Sequence, residues 1–197
     1  MNQLEICIGG KPYPHLLFHF MLPYSRWESF AICHSKSFDS LALGFERAVW
    51  ELGGVLPEHR TDNLSAATKR CGSNRQFTER WEELLAHYNV KPLRNNPGVS
   101  HENGSVEKSH DTFKQAVNQH LLLRGSRNFV DLKDYELFLT NIKEKRNSLR
   151  KERLAEELSH LQELPHRKWN APTILPVRVI PAVLLLFYPY RILYRVV

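Results

Sequence analysis

The first ninety residues switch between two hydrophobic periods. Leu4-Glu5-Ile6-Cys7-Ile8 repeats every second residue and stops at Gly9-Gly10, which predicts a strand and a turn. Leu16 to Leu22 and Phe30 to Cys33 are short apolar runs rich in aromatics, and Pro23-Tyr24-Ser25-Arg26 between them reads as the turn of a hairpin. The period then changes. Phe38, Leu41, Ala42, Phe45, Val49 and Leu52 recur at helical spacing until Gly53-Gly54 ends the run. Pro57 to Asp62 is a short extended piece. Thr78 to Tyr88 puts Trp81, Leu84 and Leu85 on one helical face, and Val90 to Leu93 is one more strand.

Beyond the turn cluster Asn95-Asn96-Pro97-Gly98 only helical patterns remain. One long helix spans His101 to Leu123, with Val106, Phe113, Ala116, Val117, His120 and Leu121 on its apolar side, and Gly125-Ser126 ends it. A further helix with a dense mixed-charge surface runs from Leu132 to Leu158. Strands alternating with helices, followed by helices alone, predict an α/β fold. Its mixed sheet is built from segments near 4–8, 15–23, 28–34, 56–61 and 90–93, flanked by helices near 38–53, 78–88 and 101–123. Residues 171–197 fit neither pattern: they hold no acid, four prolines and a Leu184-Leu185-Leu186 core. They read equally as a small β extension or as a segment whose reading frame has drifted.

Composition narrows the class. Apolar residues are 42% and charged residues 24% of the 197, enough for a real core and incompatible with wholesale disorder. No run reaches the roughly 18 uncharged apolar residues of a membrane span. Met1 to Glu5 shows neither a basic nor an apolar leader region, and Cys7, Cys33 and Cys71 form neither a zinc spacing nor a disulfide framework. A reducing cytoplasm is the expected setting, without membrane partners. Net charge is +6, unevenly spread. Residues 1–60 carry five Lys/Arg against six Asp/Glu, 61–130 ten against seven, 131–167 eight against eight, and 168–197 four against none. A basic middle and a basic tail suit a polyanionic partner, and on charge alone an ordinary basic soluble protein reads equally well.

Two acids stand where they can do chemistry. Asp62 ends an extended segment and is followed by Asn63 and Ser65, a placement suited to a hard cation. Read alone, capping a helix that begins near Leu64 is its simpler role. Glu107 follows Asn103-Gly104 within the first turns of the long helix, where the helix dipole favours negative charge. His110 and Lys114 lie at i+3 and i+7, on the same face, and a plain solvated face is the alternative. Zinc held by His101, His110 and His120 fails on spacing, because intervals of nine and ten residues do not repeat on one helical face.

These residues also carry a resemblance. Leu52-Gly53-Gly54-Val55 followed by His59-Arg60-Thr61-Asp62-Asn63-Leu64-Ser65-Ala66-Ala67 resembles the transposases of IstA-type bacterial insertion sequences. So do Leu85 to Tyr88, Arg94 to Val99, His101-Glu102-Asn103-Gly104-Ser105-Val106-Glu107 and Leu121 to Arg127, in the right order over residues 1 to 165. The resemblance implies a ribonuclease-H-like, retroviral-integrase-like core with two Mg²⁺ ions, replaceable by Mn²⁺, on an Asp-Asp-Glu triad. It implies Asp62 as the second aspartate and Glu107 as the glutamate, each catalytic and metal-binding. Glu102 is the nearest competitor, set aside because the family's acid follows Asn-Gly. Lys114 matches the basic residue two turns beyond the glutamate. Lys108, Arg124 and Arg127 follow or flank the same helix and are expected on DNA phosphates.

The first aspartate is where the chain departs from the pattern. In such proteins it precedes the segment matching Met1 to Leu4, so no residue here is expected to fill that role, and part of the first strand is expected to be missing. Leu4 to Ile8 is then the surviving end of that strand. Asp39, the only aspartate before Asp62, starts a helix out of register. The expected organisation is a truncated catalytic core over 1–130, a helical extension over 131–168, and a degenerate apolar and basic tail over 169–197. The expected function is DNA cleavage and strand transfer by Mg²⁺-dependent phosphoryl transfer, with the fragment inactive alone. The alternative is a non-catalytic DNA-binding or dimerising remnant. Expected partners are DNA, a second copy, and an ATPase helper of the same element.

Overall fold

The computed structural model describes the backbone of residues 4–61, 66–71, 74–94 and 101–169, and side chains at 4–60, 66–69, 76–93 and 108–169. The chain divides into Met1–Pro165 and His166–Val197, and every element below lies in the first unit. In order they are β1 (Cys7–Ile8), β2 (Lys11–Pro12), β3 (Leu16–Met21), β4 (Glu28–Cys33), α1 (Phe38–Leu52), β5 (Glu58–Thr61), β6 (Thr68–Cys71), β7 (Asn74–Phe77), α2 (Glu79–His87), β8 (Lys91–Arg94), α3 (His101–Arg124), β9 (Asn128–Phe129), α4 (Leu132–Ser148) and α5 (Lys151–Leu158).

Local chemistry sets the turns. Gly9 and Gly10 both have positive φ, 57° and 78°, and close the β1–β2 hairpin. The six-residue pair β3–β4 runs antiparallel from Leu16↔Cys33 to Met21↔Glu28, and its turn places Arg26 at φ 63°. Ser37 caps α1 by accepting from the Ser40 amide, and Gly53 at φ 81° ends it with an N–H donated to the Val49 carbonyl.

Three layers result. On one face of β3–β4 lies α1: Phe20 and Phe45 rings are 6.3 Å apart, and Gly44 sits so close to Phe18 that a Cβ would run into the ring. On the other face lie α3 and α4. There Phe30 stacks on Phe113 at 3.5 Å, within a core of Leu4, Ile6, Val117, Leu121, Phe129, Tyr135, Leu139 and Ile142. On α2, Trp81 reaches Phe45 and His59 at 6.0 and 5.7 Å.

The α/β architecture and its main elements match the sequence expectation; β2, the β6–β7 hairpin and β9 are additional, and three expected features differ. The mixed sheet is divided into an antiparallel β3–β4 pair and a parallel β5–β8 pair, and among the described residues no ladder joins β3 to β5. Leu4 to Ile8 does not lie in that position, because β1 pairs with β2 and, in parallel, with β9. The helix expected over 132–158 is two helices, broken at Leu149 and Arg150, where the Arg150 side chain is drawn to the Arg26 carbonyl and to Asn147.

Candidate functional site

β5 is the strand that precedes the candidate aspartate in the chain. The strand pairs with β8 from Glu58↔Lys91 to Thr61↔Arg94, and Asp62 is the next residue in the chain. Asp62 itself lies outside the described residues. His59 anchors the strand from below. Its ring packs on Phe20 at 5.8 Å, Phe45 at 5.1 Å and Trp81 at 5.7 Å, and burial pushes its pKa down to about 4. His59 is therefore neutral at pH 7 and packs as part of the aromatic cluster.

Glu107 lies in α3, two residues before Ser109 and one turn before His110. Its side chain is outside those described. His110 and Lys114 follow it at i+3 and i+7 in the same helix. His110 stacks on His19 of β3 at 5.5 Å. Burial, then the charges of Lys114 and His19, push His110 down to about 4, so His110 and Lys114 together present one cation and a neutral imidazole.

A polar centre that the sequence pattern does not reveal holds this part of α3. Glu28 of β4 is fully buried. Its carboxylate accepts from Arg146 Nε and from Ser109 Oγ at 2.7 Å, with Arg150 Nη1 at 3.3 Å and His19 Nε2 at 3.4 Å. Burial alone would raise its pKa. The groups from His19, Arg146 and Ser109, with the charge of Arg150, outweigh that and hold it at about 2. Its partners are 81 and 118 residues away for Ser109 and Arg146, beyond any local motif.

The basic residues fall into two groups. Lys108 is exposed and Lys114 half-buried on α3. Arg124 and Arg127 already have protein partners. Arg124 donates to the Ser126 and Asn128 carbonyls at 3.2 and 2.7 Å, reaches Asp134 at 3.5 Å and lies over the Phe129 ring at 4.2 Å. Arg127 donates to Asn118 Oδ1 at 3.1 Å. A cleft of about 310 Å³, lined by Lys36, Ser37, Phe38, Ala66, Thr78 and Arg80, opens four residues after Asp62 in the chain. Among the described residues no group of three or more His, Cys, Asp or Glu is arranged to hold a metal ion. Asp62 and Glu107, the acids expected to hold a divalent ion, lie outside the side chains described. Among the described residues, no helix is long and apolar enough to cross a membrane.

No family model matches the chain. It is 44% identical over 171 residues to an uncharacterized protein, y4jA/y4nE/y4sE, of Sinorhizobium fredii, covering 85% of this chain and 34% of that protein. The chain thus spans about a third of the length of this curated relative. Its structure is similar to a chain in the cryo-EM structure of the simian T-cell lymphotropic virus intasome in complex with PP2A regulatory subunit B56 gamma. The TM-score is 0.57 at 13% identity, over 91% of this chain and 56% of the other. The architecture is the ribonuclease-H-like fold of an integrase catalytic core.

Proposed function

We propose that this chain is a catalytic-core fragment of a DNA transposase of the IstA type, in which Asp62 and Glu107 are two of three metal-binding acids. What supports the reading is the chain order within an integrase-core fold: Asp62 is the residue after the end of β5, and Glu107 belongs to the second turn of α3. In this reading Asp62 and Glu107 are the two acids that these residues contribute. Mg²⁺, or Mn²⁺ in its place, is the cofactor, and its chemistry is stabilisation of the attacking and leaving oxygens of an in-line displacement at phosphorus. The substrate is DNA; a second copy and an ATPase helper of the same element are the protein partners.

The test is nicking of a supercoiled plasmid with Mg²⁺ or Mn²⁺. The 197-residue chain is expected to show little activity. A longer chain carrying an upstream strand with an aspartate is expected to nick DNA, and Asp62→Asn and Glu107→Gln each to abolish it. Nicking that survives both substitutions overturns the assignment.

The basic excess over residues 61–130 supports a second reading, a non-catalytic DNA-binding or dimerising remnant. In that case Asp62→Asn leaves a salt-sensitive DNA interaction intact and no divalent ion changes it.

A further inference from the structure

We infer that Glu28 is a positioning residue for the candidate acid Glu107, acting through the rotational setting of α3; this rests on the function proposed above. α3 is held to the sheet by two kinds of contact. The apolar one, Phe113 on Phe30 at 3.5 Å, fixes how close the helix lies. With Val117 and Leu121 it sets which face of α3 meets the sheet, and being non-directional it leaves the finer rotation to other contacts. The polar one is directional. Ser109, two residues beyond Glu107, donates to the Glu28 carboxylate at 2.7 Å.

The same carboxylate is fixed from two other sides. Arg146 of α4 donates to it and, through Nη2, to Thr112 Oγ1 of α3 at 3.3 Å, so one guanidinium grips Glu28 and α3 together. The Glu28 backbone is held as well: its N–H donates to Asn147 Oδ1 at 3.1 Å, and its carbonyl accepts from Asn147 Nδ2 at 2.8 Å. Strand, α3 and α4 therefore meet at one buried anion. Geometry makes the consequence large. A turn of about 20° moves a group on a helix surface, about 5–6 Å from the axis, by about 2 Å. Catalytic geometry tolerates less than that. Glu28 touches neither DNA nor metal in this scheme, and its role is the aim of the helix.

The test separates aim from folding. Cysteines replace Asp62 and Glu107 in a chain whose Cys7, Cys33 and Cys71 are alanine, and a short bifunctional methanethiosulfonate measures their cross-linking rate. Ser109→Ala removes the link from the α3 side. The double variant Glu28→Met/Arg146→Met exchanges a buried ion pair for apolar side chains, a change that often preserves folding. The expected result is cross-linking in the parent and a rate at least tenfold lower in both variants, with Tm unchanged to within a few degrees. Equal rates in folded Ser109→Ala overturn the inference and leave the convergence of Asp62 and Glu107 standing. Absence of cross-linking in the parent overturns that convergence, and the inference with it. If the double variant does not fold, Ser109→Ala decides.

Discussion

Phe20 of β3 and His59 of β5 stack at 5.8 Å although the strands that carry them share no ladder. Both rings pack on Phe45 of α1, so one helix spans two strand pairs that are not hydrogen-bonded to each other. In an antiparallel pair every second amide of an outer strand points away from its partner. Half of the β3 amides therefore face the β5 side without a strand to receive them among the described residues. Hydrogen exchange is expected to alternate along Leu16 to Met21, with the amides bonded to β4 protected and the others exchanging at least tenfold faster. Uniform protection along β3 would mean that its outer edge is paired.

Glu28 predicts a large and specific loss of stability. Glu28→Ala leaves Arg146 and Arg150 facing each other without the carboxylate between them and leaves Ser109 without its acceptor. Breaking a buried pair in this way costs about 3–5 kcal/mol. Glu28→Gln keeps an acceptor for Ser109 and is expected to cost less, about 1–3 kcal/mol. Urea denaturation midpoints measure both, and a loss below about 1 kcal/mol for Glu28→Ala would show that the cluster contributes little.

Acid should weaken the fold in two stages. His59 and His110 titrate at about 4 in the folded chain against 6.5 when unfolded, so the unfolded state takes up protons first as pH falls. Their contribution is complete above 6.5 and is lost between 6.5 and 4. His59, half-buried against aromatic rings, dominates this stage. Glu28 titrates at about 2 against 4.5, and its contribution is lost as pH falls from 4.5 to 2. Stability measured against pH should therefore decline below 6.5, with His59→Phe flattening the upper stage and Glu28→Gln the lower. A profile with no decline between 6.5 and 4 contradicts the first stage.

Where the chain's periodicity is strong, the fold is legible from it. The run Phe38 to Leu52 with Gly53 behind it predicts α1 nearly to the residue, and the aromatic runs around Pro23 predict the β3–β4 hairpin. The β6–β7 hairpin is not legible, because Thr68-Lys69-Arg70-Cys71 and Asn74-Arg75-Gln76-Phe77 lack an apolar alternation. The break between α4 and α5 is hidden for another reason. Arg150 reads as a good helix former, and only its tertiary partners at Arg26 and Asn147 draw it out of line. The candidate site divides the same way. Asp62 and Glu107 are visible as local motifs, whereas Glu28 sits in a strand as one acid among Trp27, Ser29 and Phe30, and its partners come from α3, α4 and the turn after α4.

On the proposed function, the division among the basic residues predicts how DNA binding responds to substitution. Lys108 is exposed and Lys114 half-buried beside a neutral His110, so both ammonium groups are available to phosphate oxygens. Removing one cation that neutralises a phosphate should lower the slope of log K against log salt by about 0.9 and weaken binding to unrelated duplexes alike. Arg124 is different. Its guanidinium closes the turn from α3 into β9 through two carbonyls and lies on the Phe129 ring, and Arg127 is tied back to Asn118. Removing Arg124 gives up a charge-assisted bond and a cation–π interaction, about 1–3 kcal/mol of folding stability. Lys108→Ala and Lys114→Ala are therefore expected to change the salt slope with Tm nearly constant, and Arg124→Ala to lower Tm with the slope nearly constant. Titrating two unrelated duplexes from about 50 to 200 mM salt, alongside thermal denaturation of each variant, decides the matter. A shallower slope in Arg124→Ala at unchanged Tm would place that residue on DNA and make its bonds to the α3–β9 turn secondary.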